Sequence, residues 1–198
     1  MGLEIKYVVG QTKLSEEELE GLKIPSISTR GELDEFEQLN IEKAIEWTLR
    51  LKIKPEQLFT EKFILYLHKK MYSDVWKWAG SFRKSEKNIG IKSYLIGVAV
   101  KQLLDDSFYW FENKTYSNEE IAIRFKHRIV SIHCFPNGNG RHSRLFADLI
   151  MTKLFNKKYF TWGNSNLVKA DEVRETYIKA LKEADNQNFA ALIKFAKL

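Results

Sequence analysis

His-Cys-Phe-Pro-Asn-Gly-Asn-Gly-Arg-His-Ser-Arg, residues 133–144, joins two stretches of helical pattern through a glycine-rich turn. Glycines let backbone amides approach an anion closely, and the free N–H groups that begin a helix favour negative charge. Arg141 and Arg144 are neighbours on the first turn of the following helix, where each guanidinium group can grip phosphate oxygens. The stretch therefore predicts a polyphosphate site. Its predicted ligands are Gly138, Asn139, Gly140, Arg141 and Arg144.

His133 stands at the other end of this turn. With a reference pKa of about 6.5, a neutral imidazole can accept a proton from a hydroxyl group near physiological pH. A lone histidine after an apolar stretch is more often structural than catalytic. Because this one adjoins an anion site with two arginines, we interpret it as a general base.

Apolar residues recur at helical spacing along most of the chain, so the sequence predicts a mainly α fold. Residues 1–31 lack a sustained period and are predicted to be an arm that packs on the main domain, residues 32–198, with a helical turn near residues 15–20. Residues 81–92 are predicted to be an exposed, partly extended loop with a turn or short hairpin at Asn88 and Gly90. The predicted helices span residues 32–51, 61–72, 96–112, 118–133, 141–155, 171–183 and 188–197.

The composition is that of a globular protein, with 198 residues, a formal net charge of +6 and a pI near 9.2. This charge attracts anions, but the basic residues are scattered as on a solvated surface, so direct nucleic-acid binding is not expected. The single cysteine, Cys134, excludes an intramolecular disulfide and suits a reducing cytoplasm. No apolar stretch approaches the length of a membrane span and no export signal is evident, so we expect a cytoplasmic protein with no membrane attachment.

The pattern His-x-Phe-x-x-Gly-Asn-Gly-Arg-x-x-Arg resembles the signature of the Fic (Fido) family, adenylyltransferase type. The family usually has proline where this chain has Cys134 and an acidic residue where it has Asn137. The resemblance extends to Trp78-Ala79-Gly80, Phe82-Arg83 and Asn88-Ile89-Gly90, which are similar to the segment that leads into the family's target-binding flap. It implies a helical bundle with a short β-hairpin flap. The forms at residues 29–38 and 135–142 are most similar to the subgroup called mobile mystery protein B, which implies a bacterial origin and a helix-turn-helix partner protein.

By this resemblance, His133 would deprotonate a Ser, Thr or Tyr hydroxyl of a target protein, which then attacks the α-phosphate of ATP. AMP would be transferred, with Asn88, Ile89 and Gly90 aligning the target by backbone hydrogen bonds. The family also implies Mg²⁺, for which the carboxamide of Asn137 is a weaker ligand than the usual acid. The chain would then need more Mg²⁺, take a carboxylate from elsewhere, or transfer another phosphate-containing group.

Many relatives are inhibited by a glutamate in the pattern Ser/Thr-x-x-x-Glu-Gly/Asn. Ser28 and Glu32 have this spacing but lack its ending, Glu20-Gly21 has only the ending, and Glu37 is a third candidate. The alternative is that these acids are solvated helix faces. Three other functions stay open: phosphoryl transfer as in the Doc relatives, a catalytically weakened binding protein, and a toxin-like transferase silenced by its partner.

Overall fold

The computed structural model describes residues 14–163 and 170–198, and over these ranges the chain is mainly helical, as predicted. Residues 1–13 of the predicted arm lie outside the described part. The helices are α1 (Glu16–Leu19), α2 (Arg30–Arg50), α3 (Pro55–Leu58), α4 (Glu61–Tyr72), α5 (Ile96–Asn113), α6 (Asn118–Ile132), α7 (Asn139–Leu149), α8 (Ala170–Asp185) and α9 (Ala190–Ala196). A 3₁₀ turn (Ser93–Leu95) precedes α5, and a π-helical turn (Ile150–Leu154) follows α7.

Hydroxyl side chains cap the starts of several helices, because the first N–H groups of a helix have no partner within it. Thr60 caps α4 by accepting from the N–H of Phe63, and Ser117 caps α6 by accepting from the N–H of Glu120. Ser15 and Thr29 each form a reciprocal capping box with the glutamate three residues later. The box at Thr29 starts α2 at Arg30, two residues before the predicted start.

The core lies between α4, α5, α6 and α7. Phe125 of α6 stacks on Phe146 of α7 with ring centroids 4.2 Å apart, and Phe63 of α4 meets Phe146 edge-on at 5.7 Å. Helix α2 packs across α4 through buried residues such as Leu33, Ile41 and Ala44. Burial of this aromatic and aliphatic surface fixes the angle between α6 and α7, and therefore the shape of the loop that joins them.

Residues 14–28 lie against the segment that follows α4. The backbone N–H of Lys23 donates to the carbonyl of Val75 at 2.9 Å, and that of Lys77 donates to Gly21 at 2.8 Å. Together they form one isolated antiparallel bridge between Leu22 and Trp76.

The short hairpin predicted within residues 81–92 is not formed, since none of these residues pairs as a strand. The segment is the partly extended loop that the sequence also predicted. The Arg83 guanidinium group takes the place of cross-strand bonds, donating to the carbonyls of Ser85 (2.8 Å) and Ile91. The backbone N–H groups of Arg83 and Ile91 donate instead to the segment around residue 133, at Cys134 (2.9 Å) and Ile132 (3.3 Å).

Within the described ranges, each helix is too short or too polar to cross a lipid bilayer.

Candidate functional site

The loop between α6 and α7 reverses direction through two residues of left-handed backbone. His133 ends α6 with φ 56°, and Gly138 precedes α7 with φ 77°. A methyl group at Gly138 would lie 2.5 Å from Cζ of Tyr72, so only glycine fits there. No side chain caps the start of α7, which leaves this helix end suited to an anion.

Asn139, the first residue of α7, stabilises the loop from inside. Its buried carboxamide accepts from the N–H of Phe135 at 2.9 Å and donates to the carbonyl of the same residue at 2.8 Å. The Asn139 side chain therefore binds the loop and not the predicted anion, while the Asn139 backbone stays at the helix start.

His133 is 4% exposed, and its carbonyl accepts a 2.6 Å hydrogen bond from Nε of Arg83. Burial lowers the pKa of the imidazole to about 4, with the positive charges of Arg83 and Lys87 acting in the same direction. A hydrogen bond to the backbone of Val130 opposes this shift. The ring is thus neutral at physiological pH, which is the state that a general base needs.

Gly90 of the predicted flap packs against this histidine. Gly90 has φ 93°, and a methyl group there would lie 2.5 Å from Cβ of His133. Asn88 and Ile89 are exposed to solvent. Of the three predicted flap residues, the structure therefore brings Gly90 into contact with the predicted base.

The two predicted arginines point to different neighbours. Arg141 forms an ion pair with the fully buried Glu37 of α2, with Nη2 and Oε2 2.5 Å apart. The other oxygen of Glu37 accepts from the indole N–H of Trp76 at 2.7 Å. Arg144 lies over the rings of Tyr177 (5.0 Å) and Trp162 (5.9 Å), and its Nε is buried without a hydrogen-bond partner.

Glu37 is the one inhibitory candidate that reaches the motif, and it binds the first motif arginine. Glu32 instead completes the capping box of α2, where one oxygen accepts from the N–H groups of Ser28 (2.8 Å) and Thr29 (3.0 Å). Gly21 packs closely on Trp78. The interpretation as a solvated helix face is therefore wrong for Glu37, because its carboxylate is fully buried.

His68 was not singled out by the sequence, yet it supports the loop from below. Its Nδ1 accepts the N–H of Gly80 at 3.0 Å, so Nε2 carries the proton and donates to the carbonyl of Asn137 at 3.1 Å. The ring also stacks on Phe135, with centroids 3.7 Å apart and planes 12° apart. Burial lowers the pKa of His68 well below its usual value, which keeps this single neutral tautomer in place.

Tyr177 of α8 is a second residue that sequence reasoning missed. Its hydroxyl contacts the ammonium group of Lys126, which is fully buried in α6. Burial, together with the positive charge of Arg144, holds the pKa of Lys126 well below its usual value. Arg144 is thus enclosed by a buried polar cluster from α6 and α8.

Asn137, the predicted metal ligand, is engaged in other contacts. Its Oδ1 accepts from the N–H of Gly138 at 2.6 Å, and its carbonyl accepts from His68. The described residues hold no cluster of three or more His, Cys, Asp or Glu side chains that could bind a metal ion. The donors present do not fit a protein-held Mg²⁺.

Cys134 is fully buried, and burial raises the pKa of its thiol. A buried neutral thiol fills space and does not react readily.

The chain is similar to known proteins in sequence and in fold. Residues 58–151 match the family described as the Fic/DOC family. The chain is 25% identical over 210 residues to a probable protein adenylyltransferase of Aquifex aeolicus, covering 98% of this chain but only 60% of that relative.

Two solved structures share the fold. One is a Fic family protein from Desulfovibrio desulfuricans, at 20% identity and a TM-score of 0.63, with 81% of this chain and 49% of that chain covered. The other is the BepC effector protein of Bartonella tribocorum with bound AMPPNP, at 18% identity and a TM-score of 0.63, with 96% and 93% covered.

Proposed function

We propose that this chain, whose residues 58–151 match the Fic/DOC family, is a protein adenylyltransferase that transfers AMP from ATP to a Ser, Thr or Tyr hydroxyl of a target protein. The observation that carries the proposal is the placement of the neutral His133 between the predicted flap and the uncapped start of α7. A hydroxyl group laid along the flap would meet the base on one side and a bound polyphosphate on the other.

The proposed step is an in-line displacement at the α-phosphorus. Nε2 or Nδ1 of His133 takes the proton of the hydroxyl, and the oxygen forms a bond to the α-phosphorus. The bond to the β-phosphate oxygen breaks, and pyrophosphate leaves. The backbone N–H groups at the start of α7, with Arg141 and Arg144, stabilise the negative charge that develops on the phosphates.

ATP as the donor has independent support from two relatives. One is named as a probable protein adenylyltransferase, and the other was solved with AMPPNP, an ATP analogue. Phosphoryl transfer from the same nucleotide is the competing reaction, and it differs in which phosphorus atom receives the hydroxyl oxygen.

The position of the label in ATP separates the two reactions. The chain is incubated with ATP labelled at the α- or the γ-phosphate, together with a bacterial lysate as the source of acceptors. AMP transfer incorporates only the α label into protein, and His133→Ala reduces this incorporation by about 100-fold or more. Incorporation of the γ label alone would favour phosphoryl transfer and refute the proposal.

We further propose a bacterial, cytoplasmic setting and a helix-turn-helix partner protein. Both rest on the resemblance of the sequence to the mobile mystery protein B subgroup, and the lone buried Cys134 suits a reducing compartment. Co-expression with the product of the adjacent gene tests the partner, since a stable complex would co-purify. A monodisperse chain that never retains this protein would contradict it.

A further inference from the structure

The loop of residues 82–91, called the flap below, has an inner and an outer row of side chains. Arg83, Ser85 and Lys87 are buried or half-buried, whereas Lys84, Glu86 and Asn88 are exposed. This alternation is that of an extended chain with one face covered, although no neighbouring strand pairs with it. Since no ladder fixes its register, the inner row must do so.

Arg83 fastens the start of the flap to the motif, as described above, and Glu18 of α1 holds the next two inner residues. Oε1 of Glu18 accepts from the hydroxyl of Ser85 at 2.6 Å, and Oε2 forms an ion pair with the ammonium group of Lys87. The same carboxylate accepts the N–H of Ser15 at 2.7 Å, within the capping box of α1.

The Glu18–Lys87 pair is withdrawn from solvent, with side-chain exposures of 11% and 4%. Burial raises the pKa of Glu18, but the hydrogen bonds from Lys87, Ser85 and Ser15 outweigh this effect and hold the pKa below its usual value. An ion pair in this setting adds little net stability, but the loss of one partner leaves the other charge buried and unpaired. Any shift of the flap along α1 would separate Lys87 from Glu18, so the pair strongly disfavours any other register of the flap.

Helix α1 is itself fixed to the residues that lead into the flap. The indole N–H of Trp78 donates to the carbonyl of Glu18 at 2.9 Å, and a methyl group at Gly21 would lie 2.6 Å from the same indole ring. The backbone bonds of Lys23 and Lys77 continue this attachment. Glu18 therefore reaches the flap from a rigid support.

We propose that Glu18 is a positioning residue for target binding: through Ser85 and Lys87 it fixes the register in which the outer edge of the flap meets an extended acceptor segment. This rests on the proposed function, since it assigns target binding to the flap. Glu18 acts through the flap residues Ser85 and Lys87 and is not one of the predicted nucleotide ligands. Its removal should therefore weaken acceptor binding and leave nucleotide binding unchanged.

The experiment compares Glu18→Gln with Glu17→Gln, which removes an exposed carboxylate from the same helix. Hydrogen exchange of residues 84–92 should accelerate on the order of tenfold in Glu18→Gln and not in the control. AMPPNP affinity should be the same in both. In transfer assays with a pool of random Ser/Thr/Tyr peptides, the half-saturating peptide concentration should rise about tenfold at an unchanged KM for ATP.

A charge exchange within the pair gives a rescue. Lys87→Glu alone should loosen the flap as Glu18→Gln does, and the double variant Glu18→Lys with Lys87→Glu should restore part of the exchange protection. Lys87→Met removes the flap residue of the ion pair. This variant is measured in place of Glu18→Gln if Glu18→Gln fails to fold.

Unchanged exchange at residues 84–92 in Glu18→Gln and Lys87→Met would overturn the proposal, as would a change confined to the KM for ATP. Hydrogen exchange is measured without the transfer reaction, so it reports on the flap whether or not the chain transfers AMP. If the wild-type chain transfers no label while Glu18→Gln still loosens the flap, the proposed function fails and the contact between Glu18 and the flap stands.

Discussion

At the scale of single residues, surroundings set the chemistry more than residue type does. His68, His133 and His142 are all buried and neutral, but they differ in what they hold. His68 and His142 contact backbone carbonyls of Asn137 and Ile64 from fixed positions in the core. His133 is the one of the three that we propose accepts a proton from a substrate hydroxyl.

The lowered pKa of His133 predicts an unusual pH profile for transfer. A base with a pKa of about 4 stays neutral above pH 5, so the rate should stay level between pH 8 and about 5 and fall only below that. The check is the initial rate of α-label incorporation across this range, with AMPPNP affinity measured in parallel to separate changes in nucleotide binding. An acid limb centred near 6.5, the reference value, would contradict the burial argument.

The neutral carboxamide of Asn137 predicts weak retention of any Mg²⁺ that accompanies ATP. Asn137→Asp places a carboxylate where the neutral amide now accepts from Gly138, and a hard cation prefers the charged oxygen. The Mg²⁺ concentration for half-maximal transfer should fall roughly tenfold. Titration of Mg²⁺ at saturating ATP measures it, and Asn88→Asp on the exposed flap controls for added negative charge.

Glu37 places a negative charge beside the predicted polyphosphate site. Glu37→Gln keeps an acceptor for Trp76 but removes the charge that competes with phosphate for Arg141, so AMPPNP should bind roughly three- to tenfold more tightly. Glu46→Gln, exposed on the same helix, should change little because solvent screens it. Calorimetric titration compares the three proteins, and weaker binding in Glu37→Gln would mean that the carboxylate orients Arg141 instead.

At the scale of elements, the start of α7 depends on one backbone conformation. Gly138 combines a positive φ with close contact to Tyr72, and neither tolerates a side chain. The adjoining loop is held by Asn139 within and by His68 below. The loop that carries the predicted anion site is therefore shaped by the packing of α4, α6 and α7 together.

Gly138→Ala should lower the free energy of unfolding by about 2 to 4 kcal/mol, from left-handed strain and overpacking against Tyr72. Gly97→Ala is the matched control, because Gly97 lies in α5 with no atom within 4 Å of an added methyl group. That change should be neutral or stabilise by about 0.5 to 1 kcal/mol. Urea denaturation of both variants measures the difference, and equal values would show that the loop adapts freely.

At the scale of the whole molecule, a buried carboxyl makes stability depend on pH. Asp148 of α7 accepts from the N–H of Phe160 at 3.0 Å and from the indole of Trp162 at 3.1 Å, which ties the chain after the π-helical turn back to α7. Burial raises the pKa of Asp148 to about 7, although these hydrogen bonds and Arg144 act to lower it.

The sign of the effect follows from the two states. The carboxyl of Asp148 ionises near pH 4 in the unfolded chain and near pH 7 in the folded chain. As the pH rises through this interval, ionisation stabilises the unfolded state first, so the free energy of unfolding of the wild type falls. Asp148→Asn should therefore gain on the order of 2 kcal/mol relative to wild type between pH 4 and pH 8. Thermal unfolding at a series of pH values tests this, with exposed Asp105→Asn as control; parallel curves for wild type and Asp148→Asn would contradict it.

The sequence by itself determined the local features of this protein. The helices follow from apolar spacing and the caps at Thr60 and Ser117 from hydroxyl chemistry, while glycines beside a helix start predict an anion site at residues 138–144. Each depends on residues within a few positions of one another. The short hairpin was wrong because a side chain, Arg83, supplied the bonds that a strand partner would have made.

Tertiary structure alone decided which distant side chains meet. Arg141 pairs with Glu37 across 104 positions, His68 reaches Asn137 across 69, and Glu18 reaches Lys87 across 69. Local periodicity places each of these residues on a helix face or loop edge, but it does not indicate which distant element packs against that face. The partner is fixed by the angles at which α1, α2 and α4 pack against the motif, and those angles depend on the whole buried core.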